Sequence, residues 1–309
     1  MPDPTPITPG VRIAATVHQR AVEVDLCLPS GQLTALIGPN GAGKSTCIQL
    51  VAGALQPDTG LVTIKGEVMA DAQRLRPAHQ RQIGYLEQRP LLFPHLNVLH
   101  NVAYGPRSRH VGKTAALQRA IQELEVVGVA PLANRRPHEL SGGQAQRVAM
   151  ARALAIDPQV VLLDEPFAAL DAAATPELRR LLRDRLHGLT TVLVTHDLLD
   201  VLSLADHLVV LEGGRVVTAG PVDDVLTAPP TAFVADFVGV NLLQGTALNT
   251  TTLQLHGGPI LVGVGDLVAG RPARATLAPD AVSLHRAAPG GSPRNALPAV
   301  VVGLDSRGP

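Results

Sequence analysis

Aromatic residues and cysteines are scarce in this chain of 309 residues. It has no tryptophan, two tyrosines and four phenylalanines, and its two cysteines are Cys27 and Cys47. Two isolated cysteines supply neither a zinc-binding pattern nor the disulfide framework of a small secreted protein. We therefore expect two reduced, partly buried thiols.

The chain also has no net charge and no apolar run long enough to cross a membrane. Lysine plus arginine and aspartate plus glutamate number 26 each, so no overall field recruits nucleic acid or anionic lipid. The long uncharged stretch at 237–265 is rich in Asn, Thr, Gln and Gly, which excludes a membrane-spanning helix. The balanced charge predicts that nucleic acid is not a partner. Because the amino terminus has no basic region followed by an apolar core, we expect no export signal and a protein that stays in the cytoplasm.

A glycine-rich motif follows the apolar run 33–37 and precedes a helix-compatible segment at 44–52. Strand, glycine-rich loop and helix in this order predict a P-loop, in which backbone N–H groups surround phosphate oxygens and a lysine reaches the terminal phosphates. A serine after that lysine suits Mg²⁺. The predicted ATP-binding residues are Gly38, Pro39, Asn40, Gly41, Ala42, Gly43, Lys44, Ser45 and Thr46.

Three further motifs follow the P-loop. They are Leu-Ser-Gly-Gly-Gln at 140–144, an apolar run that leads into Asp-Glu-Pro at 160–166, and Thr-His-Asp at 195–197. Together with the P-loop they resemble the ATP-binding cassette (ABC) ATPases, and the resemblance covers about 11–236. It implies ATP and Mg²⁺ as cofactors and ATP hydrolysis as the activity.

The apolar runs also predict the fold. Short runs at 160–163, 192–194 and 208–211 are typical of strands buried on both faces, which indicates a parallel α/β core. Helical spacing at 113–127 predicts an amphipathic helix in a helical subdomain at about 89–158. The resemblance makes this a P-loop NTPase ABC cassette with a RecA-like core over 1–239. After it, short alternating runs predict a small all-β, OB-like (TOBE/Mop) domain at 240–309.

The resemblance assigns the catalytic residues. Glu165 corresponds to the carboxylate that polarises the attacking water, and His196 to the histidine that contacts the γ-phosphate. Gln88 corresponds to the glutamine that reaches magnesium and water. Lys44 completes the predicted catalytic set, and the predicted Mg²⁺ ligands are Ser45, Gln88 and Asp164.

The 140–144 motif implies a second copy of the chain. It precedes a strongly helical stretch, so its serine and glycine amides lie at a helix N-terminus that suits an anion. In the family that anion is the γ-phosphate held by the other copy, so the active unit is a dimer that encloses two ATP molecules. The residues predicted to act across this interface are Ser141, Gly142, Gly143, Gln144 and Asp171.

The segment 89–104 corresponds to the family's docking surface for membrane-spanning subunits. Its apolar residues predict an interaction surface, with local packing as the alternative; they are Leu91, Leu92, Phe93, Pro94 and Leu96. The expected partners are integral membrane permease subunits, with an extracytoplasmic substrate-binding protein engaged indirectly. The protein would then be peripheral on the cytoplasmic face of the membrane.

The adenine-stacking aromatic that family members commonly have before the P-loop is absent. Residues 11–37 contain no Phe, Tyr or Trp, and His18 is the nearest substitute. Contacts to adenine are therefore expected to be weak.

The cargo prediction depends on the C-terminal region. Residues 292–300 resemble the Ser-x-Arg-Asn turn of small molybdate-binding β-domains, in which Ser292, Arg294 and Asn295 are candidate oxyanion ligands. An ordinary polar hairpin is the alternative. We expect the final strands of this domain to be absent or supplied by a partner. Molybdate or a similar oxyanion is the predicted cargo, and sulfate, ferric iron or polyamine are alternatives.

A soluble ABC ATPase of chromosome maintenance or translation is the alternative from a different class. Positions 38 and 140 are 102 residues apart, which leaves no space for the long coiled coil of the chromosome type. The translation type carries two cassettes and this chain carries one. An importer ATPase is therefore the predicted function.

Overall fold

The computed structural model describes residues 9–171, 175–256, 258–287, 289–290, 294–298 and 300. Its internal contacts divide the chain into two compact units, Met1–Thr227 and Ala228–Pro309. The domain boundary expected at 239 stays a prediction.

Two sheets make up the strands of the first unit. The antiparallel sheet has the order β2-β1-β4-β5, and its strands are β1 (Pro9–Val17), β2 (Val22–Pro29), β4 (Thr59–Ile64) and β5 (Glu67–Asp71). The second sheet has the order β10-β9-β3-β8-β7-β6 and is parallel except for the edge strand β10. Its strands are β3 (Leu33–Ile37), β6 (Ile83–Leu86), β7 (Val160–Asp164), β8 (Thr190–Val194), β9 (His207–Glu212) and β10 (Arg215–Pro221).

The helices of the first unit follow the expected α/β pattern. They are α1 (Lys44–Ala52), α2 (Val98–Ser108), α3 (Lys113–Val126), α4 (Gly142–Leu154), α5 (Thr175–Leu186), α6 (Leu198–Leu204) and α7 (Val222–Thr227). Between β6 and β7 the chain forms α2, α3 and α4, and α2 packs on both of the others. This segment is the helical region that the sequence predicted.

The parallel sheet is buried on both faces, as its apolar strands predicted. Along β7, Val160 and Leu162 belong to the core shared with α1 and the antiparallel sheet, whereas Val161 and Leu163 belong to the core beneath α2, α3 and α4. Alternate side chains of a strand point to opposite faces, so both faces need apolar residues. Two cores thereby hold the sheet in place.

One buried arginine joins several elements of this unit. The guanidinium of Arg81 is 2% exposed and donates hydrogen bonds of 2.7 to 2.9 Å to the carbonyls of Leu50, Val51, Met69 and Arg76. Two of these carbonyls lie in the last turn of α1, where backbone acceptors have no partner within the helix. Arg81 thus fixes the C-terminal end of α1, the helix that follows the phosphate loop.

In the part that the structure describes, the second unit contains one α-helix, α8 (Ala232–Val238), and an antiparallel sheet. The sheet has the order β13-β12-β11-β14, and its strands are β11 (Asn241–Ala247), β12 (Thr252–Leu255), β13 (Ile260–Val262) and β14 (Pro272–Leu277). The helical pattern ends at Val238, which confirms the predicted change to β-structure. Across the described residues, every helix is too short or too polar to traverse a bilayer.

Candidate active site

The phosphate loop connects β3 to α1 and depends on two glycines. Gly38 has a φ of +154° and Gly43 a φ of +103°, values that favour glycine. A Cβ atom at Gly38 would lie 2.1 Å from the carbonyl oxygen of Leu211, and one at Gly43 would lie 2.9 Å from Val22 Cγ2. The loop is therefore packed closely against the chain beneath it, and larger residues at these positions would displace it.

Lys44 lies across this loop. Its Nζ donates hydrogen bonds to the carbonyl oxygens of Gly38 at 2.6 Å and Pro39 at 3.0 Å. Burial lowers the pKa of the ammonium, and the nearby carboxylates of Glu165 and Asp164 oppose this shift. These two carbonyls hold the ammonium over the N-terminal end of α1, where the amides of the first helical turn face outwards.

The register of the parallel strands brings four segments to one edge of the sheet. Leu36 of β3 lies opposite Val194 of β8, and Val194 lies opposite Asp164 of β7. In turn, Leu163 lies opposite Leu86 of β6. The phosphate loop follows β3, the Asp-Glu-Pro turn lies at the end of β7, the histidine turn follows β8, and Gln88 follows β6. The predicted catalytic residues therefore meet at the carboxyl edge of the sheet.

Glu165 lies at the centre of this edge. Gln88 Nε2 donates a hydrogen bond to its Oε2 at 2.7 Å, and His196 Nε2 lies 2.9 Å from its Oε1. The Glu165 N–H donates to the carbonyl of Val194 at 2.9 Å, and the residue has a left-handed φ of 49°. A non-glycine residue in this conformation carries strain of about 1–3 kcal/mol, which the surrounding contacts offset.

Asp164 differs from Glu165 in its surroundings. Burial raises the pKa of the Asp164 carboxyl, the neighbouring Glu165 raises it further, and Lys44 lowers it. This carboxyl is adjacent to Lys44 and at the end of a buried strand, which is where a bound cation would stabilise its charged form.

The turn that carries His196 is fixed on both sides. Thr195 Oγ1 donates to Asp200 Oδ2 at 2.5 Å and accepts from the Asp197 N–H at 3.1 Å. Arg179, on α5, pairs with both Asp197 and Asp200. No local sequence pattern singles out Arg179, because its partners lie 18 and 21 positions away in a different element.

The residues of the 140–144 motif form a helix cap. Ser141 is the N-cap of α4: its Oγ accepts from the Gln144 N–H at 3.3 Å, and Gln144 Oε1 accepts from the Ser141 N–H at 3.0 Å. This reciprocal capping leaves the N–H groups of Gly142 and Gly143 at the open end of the helix. Asp171 is exposed, and its carbonyl accepts from Thr175 Oγ1 at 2.9 Å.

An arginine, rather than His18, contacts the end of the phosphate loop. Arg20 Nη1 donates to Gln49 Oε1 at 2.7 Å and to Thr46 Oγ1 at 3.3 Å, so the guanidinium lies beside the first turns of α1. His18 is exposed, and the hydrogen bond described for it runs from its backbone N–H to Asp58. The sequence pattern does not single out Arg20, because its partners Thr46 and Gln49 lie 26 and 29 positions away.

The predicted docking segment surrounds a surface cavity of about 210 Å³, lined by residues that include Glu87, Arg89, Leu91, Phe93 and Arg152. The Phe93 ring packs 4.5 Å from that of Tyr104 and lies beneath the Arg152 guanidinium. Leu91 is 63% exposed, while its carbonyl accepts a hydrogen bond from Arg152 at 2.7 Å. The segment therefore has an ordered backbone and a projecting apolar side chain.

The candidate oxyanion residues are only partly described. Ser292 lies outside the described residues. The Asn295 side chain accepts from the Val262 N–H at 2.7 Å and donates to the Val262 carbonyl at 2.8 Å, so its amide pairs with the backbone of β13. Arg294 is exposed. A role for these residues in binding an oxyanion stays a prediction.

One protein family and several known proteins are similar to this chain. The family model described as ABC transporter matches residues 22–168. The molybdenum import ATP-binding protein ModC of Mycobacterium tuberculosis H37Rv is 44% identical, with 97% of this chain and 84% of that protein covered. The sulfate/thiosulfate import ATP-binding protein CysA of the same strain is 46% identical, with 80% of this chain and 70% of that protein covered.

An iron importer protein and a solved structure are also similar. The Fe(3+) ions import ATP-binding protein FbpC of Pseudomonas fluorescens is 44% identical, with 84% of this chain and 72% of that protein covered. The structure is the dimeric, post-hydrolysis state of the ATP-binding cassette MJ0796 bound to ADP and Pi. It has a TM-score of 0.60 and 31% identity, with 65% of this chain and 90% of that chain covered.

Proposed function

We propose that this chain energises the import of molybdate or a related oxyanion. It belongs to the ATP-binding proteins of ABC transporters and is an ATPase, so the energy for import would come from ATP hydrolysis. The observation that carries the catalytic part is the placement of Glu165 between Gln88 and His196 at the edge that also presents the phosphate loop. The cargo part is supported by the similarity to the molybdenum import proteins.

The phosphates of ATP would bind at the loop 38–46. The open N–H groups at the start of α1 and the ammonium of Lys44 are donors for phosphate oxygens. Lys44 would exchange its bonds to the Gly38 and Pro39 carbonyls for bonds to the terminal phosphates. Because the lysine is already held across the loop, little side-chain freedom is lost when it binds the nucleotide.

Glu165 would accept the proton of the attacking water. Its carboxylate oxygens face Gln88 and His196, two side chains with polar N–H groups, so its orientation is defined before nucleotide arrives. As the water oxygen bonds to the γ-phosphorus and the bond to ADP breaks, the proton moves to the carboxylate. Before this step, when ATP binds, His196 would exchange Glu165 for the γ-phosphate.

The donor set at this edge fits Mg²⁺. Ser45, Gln88 and Asp164 offer a hydroxyl, an amide oxygen and a carboxylate, which are the hard oxygen ligands that Mg²⁺ prefers, with few protein ligands and the rest from phosphate and water. A cation would also reverse the rise that burial and Glu165 cause in the pKa of Asp164. When bound, Mg²⁺ neutralises charge on the phosphates.

A second copy of the chain would complete each site. The capped N-terminus of α4 presents the amides of Gly142 and Gly143, and Ser141 and Gln144 hold that end in shape. We assign these four residues and Asp171 to the other copy's ATP. The dimeric state of the similar MJ0796 cassette supports this arrangement.

The docking partner would be a permease subunit in the membrane. The exposed Leu91 and the cavity at Phe93, whose lining also includes Glu87, Arg89 and Arg152, offer a permease both an apolar side chain and charged groups. Binding there would hold the protein on the cytoplasmic face of the membrane, with an extracytoplasmic binding protein engaged through the permease. Sulfate and ferric iron, the cargoes named for two similar proteins, are the alternative cargoes, together with polyamines.

Hydrolysis in the assembled transporter tests this proposal. The chain is reconstituted in liposomes with its permease and the cognate binding protein, and ATP hydrolysis is measured with molybdate, sulfate, ferric iron or spermidine. We expect molybdate to stimulate hydrolysis most strongly. Stimulation by sulfate, iron or spermidine instead would overturn the cargo assignment, and hydrolysis that is indifferent to the permease would indicate the soluble class.

A further inference from the structure

One side chain of α5 contacts both turns that carry the catalytic candidates. The guanidinium of Arg179 lies 5.5 Å from the centroid of the Phe167 ring, and Phe167 is two residues beyond Glu165. On its other side, Arg179 Nη2 lies 2.5 Å from Asp197 Oδ2 and its Nε lies 2.6 Å from Asp200 Oδ1. Asp197 is the residue after His196.

The carboxylates that hold Arg179 also define the backbone around His196. The second oxygen of Asp200 accepts from Thr195 Oγ1, and that hydroxyl in turn accepts from the Asp197 N–H. Asp197 Oδ1 caps α6 by accepting from the Leu199 N–H at 2.7 Å. Both neighbours of His196 are thus anchored in a cluster that has Arg179 at its centre.

The Arg179–Asp200 pair of the cluster is shielded from water, whereas the Asp197 side chain is 48% exposed. The side chain of Arg179 is 11% exposed and that of Asp200 is 4% exposed. Charge-assisted hydrogen bonds in such a site are short and directional, and a planar guanidinium fixes two partners at once. If Arg179 were removed, Asp200 would lose a cationic partner, and the Phe167 ring would lose the group stacked over it.

We propose that Arg179 is a positioning residue for ATP hydrolysis, which sets the separation of Glu165 and His196 by bridging Phe167 to the pair Asp197 and Asp200. This inference rests on the proposed function, because it takes Glu165 and His196 as the catalytic pair. Arg179 acts through these residues and makes no contact with the reacting atoms.

The same helix provides a matched control. Arg185, six residues further along α5, pairs with Glu123 Oε1 at 2.6 Å, and the Glu123 side chain is 3% exposed. Arg185→Met therefore removes an arginine of the same helix from an ion pair with a buried carboxylate. It does so away from the turns that carry Glu165 and His196.

The test measures steady-state hydrolysis and thermal unfolding of Arg179→Met and Arg185→Met in the assembled transporter. We expect Arg179→Met to lower kcat about tenfold or more, since small displacements of catalytic groups are costly, with KM for ATP changed less than about twofold. Arg185→Met should keep kcat within about twofold of the wild-type value, even if it lowers the unfolding temperature as much as Arg179→Met does. A similar loss of kcat in both variants, or none in Arg179→Met, would overturn the proposal.

A double-mutant cycle separates positioning from general stability. Single-turnover hydrolysis of radiolabelled ATP is compared for His196→Ala with and without Arg179→Met. If Arg179 acts through His196, the second change lowers the residual rate by less than about twofold; a further tenfold loss would refute the inference. If Arg179→Met does not fold, Arg179→Lys, which keeps the charge without the planar fork, replaces it. We then expect the same lowered kcat in the single variant and the same small further loss when it is combined with His196→Ala.

The cycle also distinguishes this inference from the proposed function. If His196→Ala and the wild type hydrolyse ATP equally, the assignment of the catalytic pair fails. If His196→Ala is impaired and Arg179→Met is not, only the inference about Arg179 fails.

Discussion

Gln88 Nε2 donates a hydrogen bond of 2.7 Å to Glu165 Oε2, although the two residues are 77 positions apart. Each follows a strand of the parallel sheet, and β6 and β7 are neighbours, so the carboxyl ends of the strands bring them together. Together with His196 Nε2, which lies 2.9 Å from Glu165 Oε1, the bond orients a carboxylate whose backbone has a left-handed φ of 49°. The carboxylate that we propose as the acceptor of the water proton is thereby oriented before the nucleotide binds.

Glu165→Gln should leave ATP binding intact and lower turnover by about 100-fold or more, because the amide cannot accept the proton of the attacking water. With hydrolysis blocked, the ATP-bound dimer should accumulate, which light scattering detects in the presence of ATP and Mg²⁺. Glu23→Gln, at an exposed glutamate paired with Arg215, is the control and should hydrolyse ATP normally. Turnover near the wild-type rate in Glu165→Gln would contradict the role given to this carboxylate.

Arg20→Ala should raise KM for ATP several-fold with little change in kcat. Its guanidinium is a planar cation that lies beside the Thr46 hydroxyl, at the end of the phosphate loop where we propose that ATP binds. Arg12→Ala, which removes an exposed arginine paired with Asp25, is the matched control. Equal KM values in Arg20→Ala and Arg12→Ala would show that Arg20 serves only to hold Gln49.

Leu91→Asp should reduce transport more than basal hydrolysis. Leu91 is 63% exposed, so a charge there costs little folding free energy but opposes docking on an apolar surface. Phe93 is a poorer probe because its ring packs on Tyr104. Uptake and basal hydrolysis are measured in the same liposomes, and Val68→Asp, at a 51% exposed position on β5, is the control. Parallel losses of both activities in Leu91→Asp would point to misfolding.

Arg81→Met should lower the free energy of unfolding by about 3 kcal/mol, because four buried carbonyls lose a charged hydrogen-bond donor. Urea denaturation followed by circular dichroism measures this loss. Arg74→Met changes an exposed arginine on the same segment and should cost less than about 0.5 kcal/mol. Equal stability of the two variants would mean that water replaces the guanidinium at the end of α1.

Cys47 should resist thiol reagents in the folded protein. Burial raises its pKa to about 12, so at pH 8 only about one thiol in ten thousand is ionised, and reactivity requires the thiolate. Because the pKa of Cys47 is raised to about 12, the thiolate becomes the major form only when the pH exceeds that value. Labelling with iodoacetamide and mass spectrometry should modify Cys27 first and Cys47 only after denaturation; fast labelling of Cys47 at pH 8 would contradict its burial.

Local signals in the sequence predicted much of the architecture. The predicted strand 33–37 and helix 44–52 have the same bounds in the structure, and Gly53 ends that helix with a left-handed φ of 82°. Gly213 and Gly214, both with positive φ, form the turn between β9 and β10, a conformation that adjacent glycines favour. The predicted helix 113–127 ends one residue earlier. Such features follow from apolar runs and glycine conformations within a few residues, which a single sequence displays.

The phosphate loop and its accompanying motifs can be identified from the sequence alone, because each is a short run of residues whose types and spacing define it. The side chains that hold those motifs in place become visible in the folded chain. Arg179, Arg20 and Arg81 look like ordinary charged residues until the strand register and helix packing bring their partners near. A guanidinium can donate to many acceptors that are distant in sequence, and the packing of the whole unit determines which of them it contacts.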